Sequence, residues 1–356
     1  MPSSFSSSVP EVSGELEQYM TLEQFIIDRQ DEFPHSTGAF SRLLRDLSVA
    51  GKIINRNIRQ AGILDVLGKT GSVNVQDEHQ KKLDEIADRE LVRALRKGGE
   101  CCLIGSEEQA ETIRMDQNKE TRERYAVFFD PLDGSSNTDV NASVGTIFSV
   151  YLLPEDWTGD EDEVVDAALQ PGSEQVAAGY VAYGSSTMFV FTTGHGVNGF
   201  TLDPSIGEFL LTRPNLTIPD TGASYSVNEA DIEDFSPELR DFLSWMKRKD
   251  PETGDRIRAR YIGSFVSDFH RNLLGGGLYV YPATDGYPDG KLRLMYEANP
   301  MAFLVEEAGG SASDGHRRIL DVSPTSLHQR TPLYIGSTPL VEAAERFLQG
   351  KQTLDA

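Results

Sequence analysis

An α/β fold in two similar-sized halves is predicted. Three observations carry it. Short apolar runs with strand character alternate with stretches of helical spacing along most of the chain. The 356 residues suffice for about two domains, with a core that needs no covalent staples. Pro214, Pro219 and Gly222 cluster in mid-chain and mark a boundary near residues 213–221.

The Ser-rich start, residues 1–14, lacks the apolar stretch of a secretory signal and reads as a flexible tail. Thr37 then caps a helix over 38–61, whose Phe40, Leu43, Leu44, Leu47, Ile54 and Ile58 share one face. Residues 62–77 mix Gly, Lys, Thr, Ser and Asn and read as a mobile loop. A second helix over 78–97 carries Leu83, Ile86, Leu91, Ala94 and Leu95 and stops at Gly98-Gly99. Strands follow at 101–105, 125–130, 145–153, 178–183, 188–193 and 208–212, with an acidic surface loop over 154–172. Beyond the boundary, helices fit 237–249, 266–274, 299–308 and 339–348, and strands fit 278–281 and 333–335.

Composition removes several function classes. No run is long and apolar enough to span a membrane. A net charge of −23 argues against nucleic acid and anionic membranes as main partners. Arg outnumbers Lys, 23 to 10, and so acidic and Lys-poor a surface would suit a salty cytosol. The two cysteines, Cys101 and Cys102, are neighbours inside an apparent strand. They read as buried, inert thiols in a reducing, cytoplasmic compartment. His35, His79, His195, His270, His316 and His328 lack the paired spacing of a zinc site. Ser135 and Ser136 have no evident His partner, which disfavours a serine hydrolase.

The chemistry concentrates in Asp130-Pro131-Leu132-Asp133-Gly134-Ser135-Ser136-Asn137, at the carboxyl end of an apolar strand where open α/β sheets bind ligands. Two carboxylates beside small residues that let a backbone approach an anion suggest a divalent cation bridging protein and phosphate. A solvated turn with an Asx cap is the alternative. Glu107-Glu108 follows the preceding strand in the same way, and Asp84 lies on the second helix. In the run from Gly290 to Ala302, Lys291, Arg293 and Glu297 fall at odd positions. They would share one face of an extended strand, either lining a polar site or facing solvent at a sheet edge.

The assembled strings resemble a class I fructose-1,6-bisphosphatase. They are Lys81-Lys82-Leu83-Asp84, Ser106-Glu107-Glu108, Asp130 to Asn137 and Tyr225-Ser226-Val227-Asn228-Glu229. Further along come Ala259-Arg260-Tyr261-Ile262-Gly263-Ser264, the Gly290 to Ala302 run and Leu327-His328-Gln329-Arg330. They span about residues 21–349 in the family's order. The resemblance implies a layered α/β/α/β/α sandwich of the sugar-phosphatase (inositol-monophosphatase-like) superfamily. It implies a 1–20 tail, a 21–215 α/β domain with the metal-site carboxylates and a remnant effector pocket, and a 216–356 α/β domain that binds sugar bisphosphate.

It further implies a cytoplasmic homotetramer of gluconeogenesis that hydrolyses the 1-phosphate of fructose 1,6-bisphosphate. Two or more Mg²⁺ per subunit, or Mn²⁺, would be held by Glu107, Glu108, Asp130, the Leu132 carbonyl, Asp133 and Glu297. Asp84 and Glu108 match the residues that activate water. Gly134, Ser135 and Ser136 match the 1-phosphate cradle. Asn228, Tyr261, Tyr281 and Lys291 match the 6-phosphate site, with Arg260 reaching it from a neighbouring subunit. Ten Lys or Arg between Arg240 and Arg293, where the chain average gives about five, fit a bisphosphate pocket. Sedoheptulose 1,7-bisphosphate is the alternative substrate, and a non-catalytic sugar-phosphate sensor the remote alternative.

The chain also departs from the family pattern. A tyrosine expected after the Asn228-Glu229 pair is missing, and Ala230-Asp231-Ile232 occupies the stretch, predicting weaker substrate affinity. Thr37, Gly38, Ser41, Arg124 and Tyr125 match an AMP pocket, but Ala39 replaces an acid and Leu152 an arginine. Weak or absent AMP inhibition follows, since a guanidinium–phosphate bond is worth roughly 1.5–3 kcal/mol. The 154–172 loop has no cysteine, so it offers no thiol switch.

Overall fold

Five layers emerge from the periodicities of the chain in the computed structural model, which describes residues 20–30, 38–63, 68–73, 79–115, 125–154, 163–249 and 256–354. The outermost layer holds helices α1 (Leu22–Asp28), α2 (Gly38–Arg59) and α3 (Lys82–Gly98). Strands β1 (Lys69–Val73) and β2 (His79–Lys81) pair as an antiparallel ribbon between α2 and α3. Leu43, Leu47, Ala87 and Leu91 press the helices onto Val127, Phe129, Phe148 and Phe189 of the sheet beneath. Burying each such aromatic contributes about 1.5–3 kcal/mol.

That sheet comprises β3 (Cys101–Ser106), β4 (Ile113–Arg114), β5 (Tyr125–Asp133), β6 (Val144–Leu152) and, after helix α4 (Val164–Ala168), β7 (Gln175–Tyr183), β8 (Thr187–Thr192), β9 (Val197–Asp203) and β10 (Glu208–Leu216). Its order is β10-β9-β8-β7-β6-β5-β3-β4, and only β3 and β5 run parallel. The second half supplies β11 (Ser224–Ser226), α5 (Pro237–Met246), β12 (Arg258–Ala259), α6 (Phe265–Gly275), β13 (Gly277–Tyr281) and β14 (Leu292–Arg293). It continues with α7 (Asn299–Glu307), β15 (Ser311–Ser313), β16 (Arg330–Thr331), β17 (Leu333–Gly336) and α8 (Thr338–Leu348). Here the five-stranded order is β12-β11-β13-β17-β15, while β14 pairs with β16.

Alternation on β13 shows how the layers join. Tyr279 faces α6 and α7, which lie between the sheets with Phe269 and Leu304, whereas Leu278 and Val280 face Phe242 of α5 and Phe347 of α8. The result is the expected α/β/α/β/α sandwich.

Several expectations need correction. Strand pairing occurs inside the supposed loop 62–77 and its flank, so α3 begins at Lys82 rather than 78. The expected cap Thr37, the tail 1–14 and residues 155–162 of the acidic loop lie outside the described residues. Within the rest of that loop α4 buries Val164 and Ala168 against Leu103 and Tyr296. Helix α1, opened by a Thr21–Gln24 capping box, was not anticipated. The extended run over 291–297 is wrong beyond Arg293: residues Leu294–Ala298 form a π-turn, and both its sides are buried. The five buried residues of this turn have no solvent face to alternate with, so the period-two reading fails there. Cys101 and Cys102 are buried and free, as expected, and burial pushes the Cys102 thiol up to about 12.

Candidate active site

In a regular strand, residues three apart point to opposite faces. Asp130 and Asp133 nevertheless converge, because β5 carries an extra residue there: Asp130 pairs with Ile147 and Asp133 with Gly145. The Thr146 hydroxyl fixes this bulge by donating to the Pro131 carbonyl (2.8 Å), and the Leu132 N–H donates to Asp130 Oδ1 (2.9 Å). The π-turn does the same for Glu297. It brings the side chain back so that Oε2 accepts the Arg293 N–H at 2.7 Å, while Ser149 Oγ donates to the Met295 carbonyl.

Asp130, Asp133 and Glu297 are all buried, and each offers an oxygen within 4.8 Å of the others. Glu107 adjoins them, with Oε1 3.0 Å from Arg293 Nη1, which is itself 3.8 Å from Glu297 Oε2. Arg293, noted in the sequence only for its position in the run, is thus the buried counter-ion of the cluster. Glu108 is half-buried in the turn after β3. Asp84 enters from the first turn of α3. Its Oδ2 accepts the Lys81 N–H (2.8 Å), and its Oδ1 is buried without a hydrogen-bond partner.

So many carboxylates buried together resist ionisation. Burial, with the charges of Glu107, Asp133 and Glu297 added, raises Asp130 well above the usual carboxylate range. Burial likewise raises Asp133, against hydrogen bonds from Ser264, Val266 and Phe265, and Glu297, against the Arg293 charge. Asp84 is pushed up to about 7, again chiefly by burial. Oxygen-only donors and uncompensated negative charge fit a hard divalent cation.

Asp133 also joins the two halves. Its Oδ2 accepts Ser264 Oγ (2.6 Å) and the Val266 N–H (2.8 Å), and Oδ1 accepts the Phe265 N–H (3.0 Å), so it caps α6 from the other sheet. Gly134 permits this approach. It stands at φ 71°, and a Cβ there would lie 2.6 Å from Ser264 Cβ. Ser135 and Ser136 follow in a short 3₁₀ turn, Ser135–Val140, and Asn137 Nδ2 donates to the Ile262 carbonyl.

Of the expected 6-phosphate residues, Asn228, Arg260, Tyr261 and Tyr281 lie at the carboxyl ends of β11, β12 and β13. Tyr281 ends β13, Asn228 follows β11, and Arg260 and Tyr261 follow β12. Asp268 accepts the N–H groups of Ile262 and Gly263, and Arg271 donates to Asp268, Ser226 and the Arg260 carbonyl, so α6 supports that loop. Lys291 lies over the Tyr287 ring. Asn228 Nδ2 donates to Asp231 Oδ2 at 2.8 Å. Among the residues expected in an effector pocket, Gly38 and Ser41 line a cavity of about 380 Å³ between α1 and α2, and Tyr125 is buried beside Phe40. Thr37 and Arg124 lie outside the described residues.

Residues 20–214 match the family model described as fructose-1-6-bisphosphatase, N-terminal domain, and residues 218–349 that of its C-terminal domain. The chain is 76% identical over 345 residues to a class 1 fructose-1,6-bisphosphatase of Salinibacter ruber, covering 97% of this chain and 96% of that one. It is 54% identical over 330 residues to one of Cytophaga hutchinsonii, covering 92% and 94%. The Leishmania major fructose-1,6-bisphosphatase in holo form superposes with a TM-score of 0.87 at 44% identity, covering 93% of this chain and 99% of that chain. The chain therefore belongs to the class I fructose-1,6-bisphosphatase family.

Proposed function

We propose that this enzyme hydrolyses the 1-phosphate of fructose 1,6-bisphosphate with Mg²⁺, yielding fructose 6-phosphate and phosphate as a cytoplasmic step of gluconeogenesis. The observation that carries this reading is the buried convergence of Asp130, Asp133 and Glu297 beside Glu107. Glu107, Glu108, Asp130, Asp133, Glu297 and the Leu132 carbonyl would hold two or more ions. Metal bound there would lower the pKa of the attacking water and neutralise charge on the transferring phosphoryl group.

The protein's own groups do the rest. Asp84, drawn up to about 7, suits a general base near neutral pH, and it shares that duty with Glu108. Gly134, Ser135 and Ser136 present backbone and hydroxyl donors to the 1-phosphate. Asn228, Tyr261, Tyr281 and Lys291 receive the 6-phosphate. Arg260 is exposed near the edge of its sheet, where it can serve a neighbouring subunit of a homotetramer.

Phosphate release tests the reading, with fructose 1,6- and sedoheptulose 1,7-bisphosphate as parallel substrates. Turnover of the fructose compound should require Mg²⁺ and vanish with chelator, and Asp130→Asn should abolish it. Near-normal activity of that variant, or turnover of the sedoheptulose compound alone, would refute the assignment.

A further inference from the structure

The turn that carries Glu107 and Glu108 is gripped from two sides by residues outside the proposed catalytic set. Asp88 lies four residues after Asp84 on α3, hence on the same helix face. Both its oxygens are engaged: Oδ1 accepts Ser106 Oγ at 2.6 Å and Oδ2 accepts Gln109 Nε2 at 2.7 Å. The Ser106 hydroxyl in turn accepts the Glu108 N–H at 3.2 Å. Asp88 is 7% exposed, so it is committed to this turn rather than to solvent.

His328 grips the turn from the other half of the molecule. Its Nε2 lies 3.0 Å from the Gln109 carbonyl, and its Nδ1 lies 2.7 Å from the Tyr296 hydroxyl. A carbonyl only accepts, so Nε2 carries the hydrogen, and a neutral ring then accepts the Tyr296 O–H at Nδ1. Tyr296 immediately precedes Glu297. The chain Gln109–His328–Tyr296 therefore ties the Glu107–Glu108 turn to the π-turn that aims Glu297.

We propose that Asp88 and His328 are positioning residues that hold the carboxylates of the two halves in one metal-binding register. The inference rests on the metal-dependent reading above. Loss of such supporting hydrogen bonds typically weakens metal affinity roughly 10–100-fold.

The test is calorimetric titration of the full-length protein with Mn²⁺ in the absence of substrate, paired with steady-state kinetics over a Mg²⁺ series. Asp88→Ala should weaken Mn²⁺ binding about tenfold or more. It should raise the half-saturating Mg²⁺ in proportion, while KM for fructose 1,6-bisphosphate changes less than about twofold. Asp88→Asn keeps the acceptor for Ser106 but turns an amide on Gln109, so its loss should be intermediate. His328→Phe should behave like Asp88→Ala. If Asp88→Ala fails to fold, Ser106→Ala removes one donor of the same clamp and should show the intermediate loss. Folded variants with wild-type Mn²⁺ affinity would overturn the inference. A wild-type protein that binds Mn²⁺ but releases no phosphate would instead overturn the proposed activity.

Discussion

Asp231 is expected to lower the affinity of the proposed 6-phosphate site. It occupies the stretch in which the family pattern carries a tyrosine, and it accepts one amide hydrogen of Asn228. A carboxylate there both repels a dianion and competes for its donor. Asp231→Asn should therefore lower KM for fructose 1,6-bisphosphate by roughly twofold to fivefold, the effect of one partly screened charge, and leave kcat nearly unchanged. The benefit should shrink at high salt. A KM that rises, or is unmoved at low ionic strength, would remove Asp231 from the site. Arg293 makes the complementary point. Its burial is tolerated because Glu107 and Glu297 flank it, and its charge opposes the mutual repulsion of those acids.

Elements bear on the expected effector pocket. Helix α2 begins at Gly38, and Ala39 is buried against the core rather than offering an acid. Leu152 stands opposite Tyr125 across β6 and β5 and packs onto the same core. An AMP phosphate would meet Ser41 and Gly38 without the guanidinium that the family pattern places at 152. Millimolar AMP should leave turnover nearly unchanged in a substrate-saturation assay, and micromolar inhibition would contradict this. The elements also differ in how far the sequence revealed them. Helices α2 and α3 were legible because long apolar periods have one solution. Strands β4, β11 and β12 were not, since two or three residues carry no period. The site carboxylates were legible as motifs, but nothing in the sequence sets Asp88 apart from other acids on its helix. Ser264, the N-cap of α6, meets Asp133 only across 131 residues of chain. The π-turn was misread because burial on all sides, not alternation, governs residues 294–298.

The whole molecule assembles its acids from both halves and pays for doing so in stability. Glu107, Asp130 and Asp133 come from the first sheet, Glu297 from the second half, and Asp84 from the outer helical layer. Burial raises Asp84, Asp130, Asp133 and Glu297 above their ordinary values. The folded, metal-free protein therefore holds more protons than the unfolded chain once pH exceeds about 4. Stability from these groups is fully present below that pH and is lost as pH rises through the folded values, near 7 for Asp84. A divalent cation replaces the protons, so its stabilising effect must grow in the same direction. Thermal unfolding in chelator should show Tm falling between pH 6 and pH 8. One fixed Mg²⁺ concentration, a hundred times its Kd at pH 8, should raise Tm by several degrees there, since it contributes about 2.7 kcal/mol, and by only a little at pH 6 where protons compete. Calorimetric titration in buffers of different ionisation enthalpy should show proton release on Mg²⁺ binding at pH 7. A Mg²⁺-induced Tm shift that shrinks as pH rises would mean that the buried carboxylates are not where the cation binds.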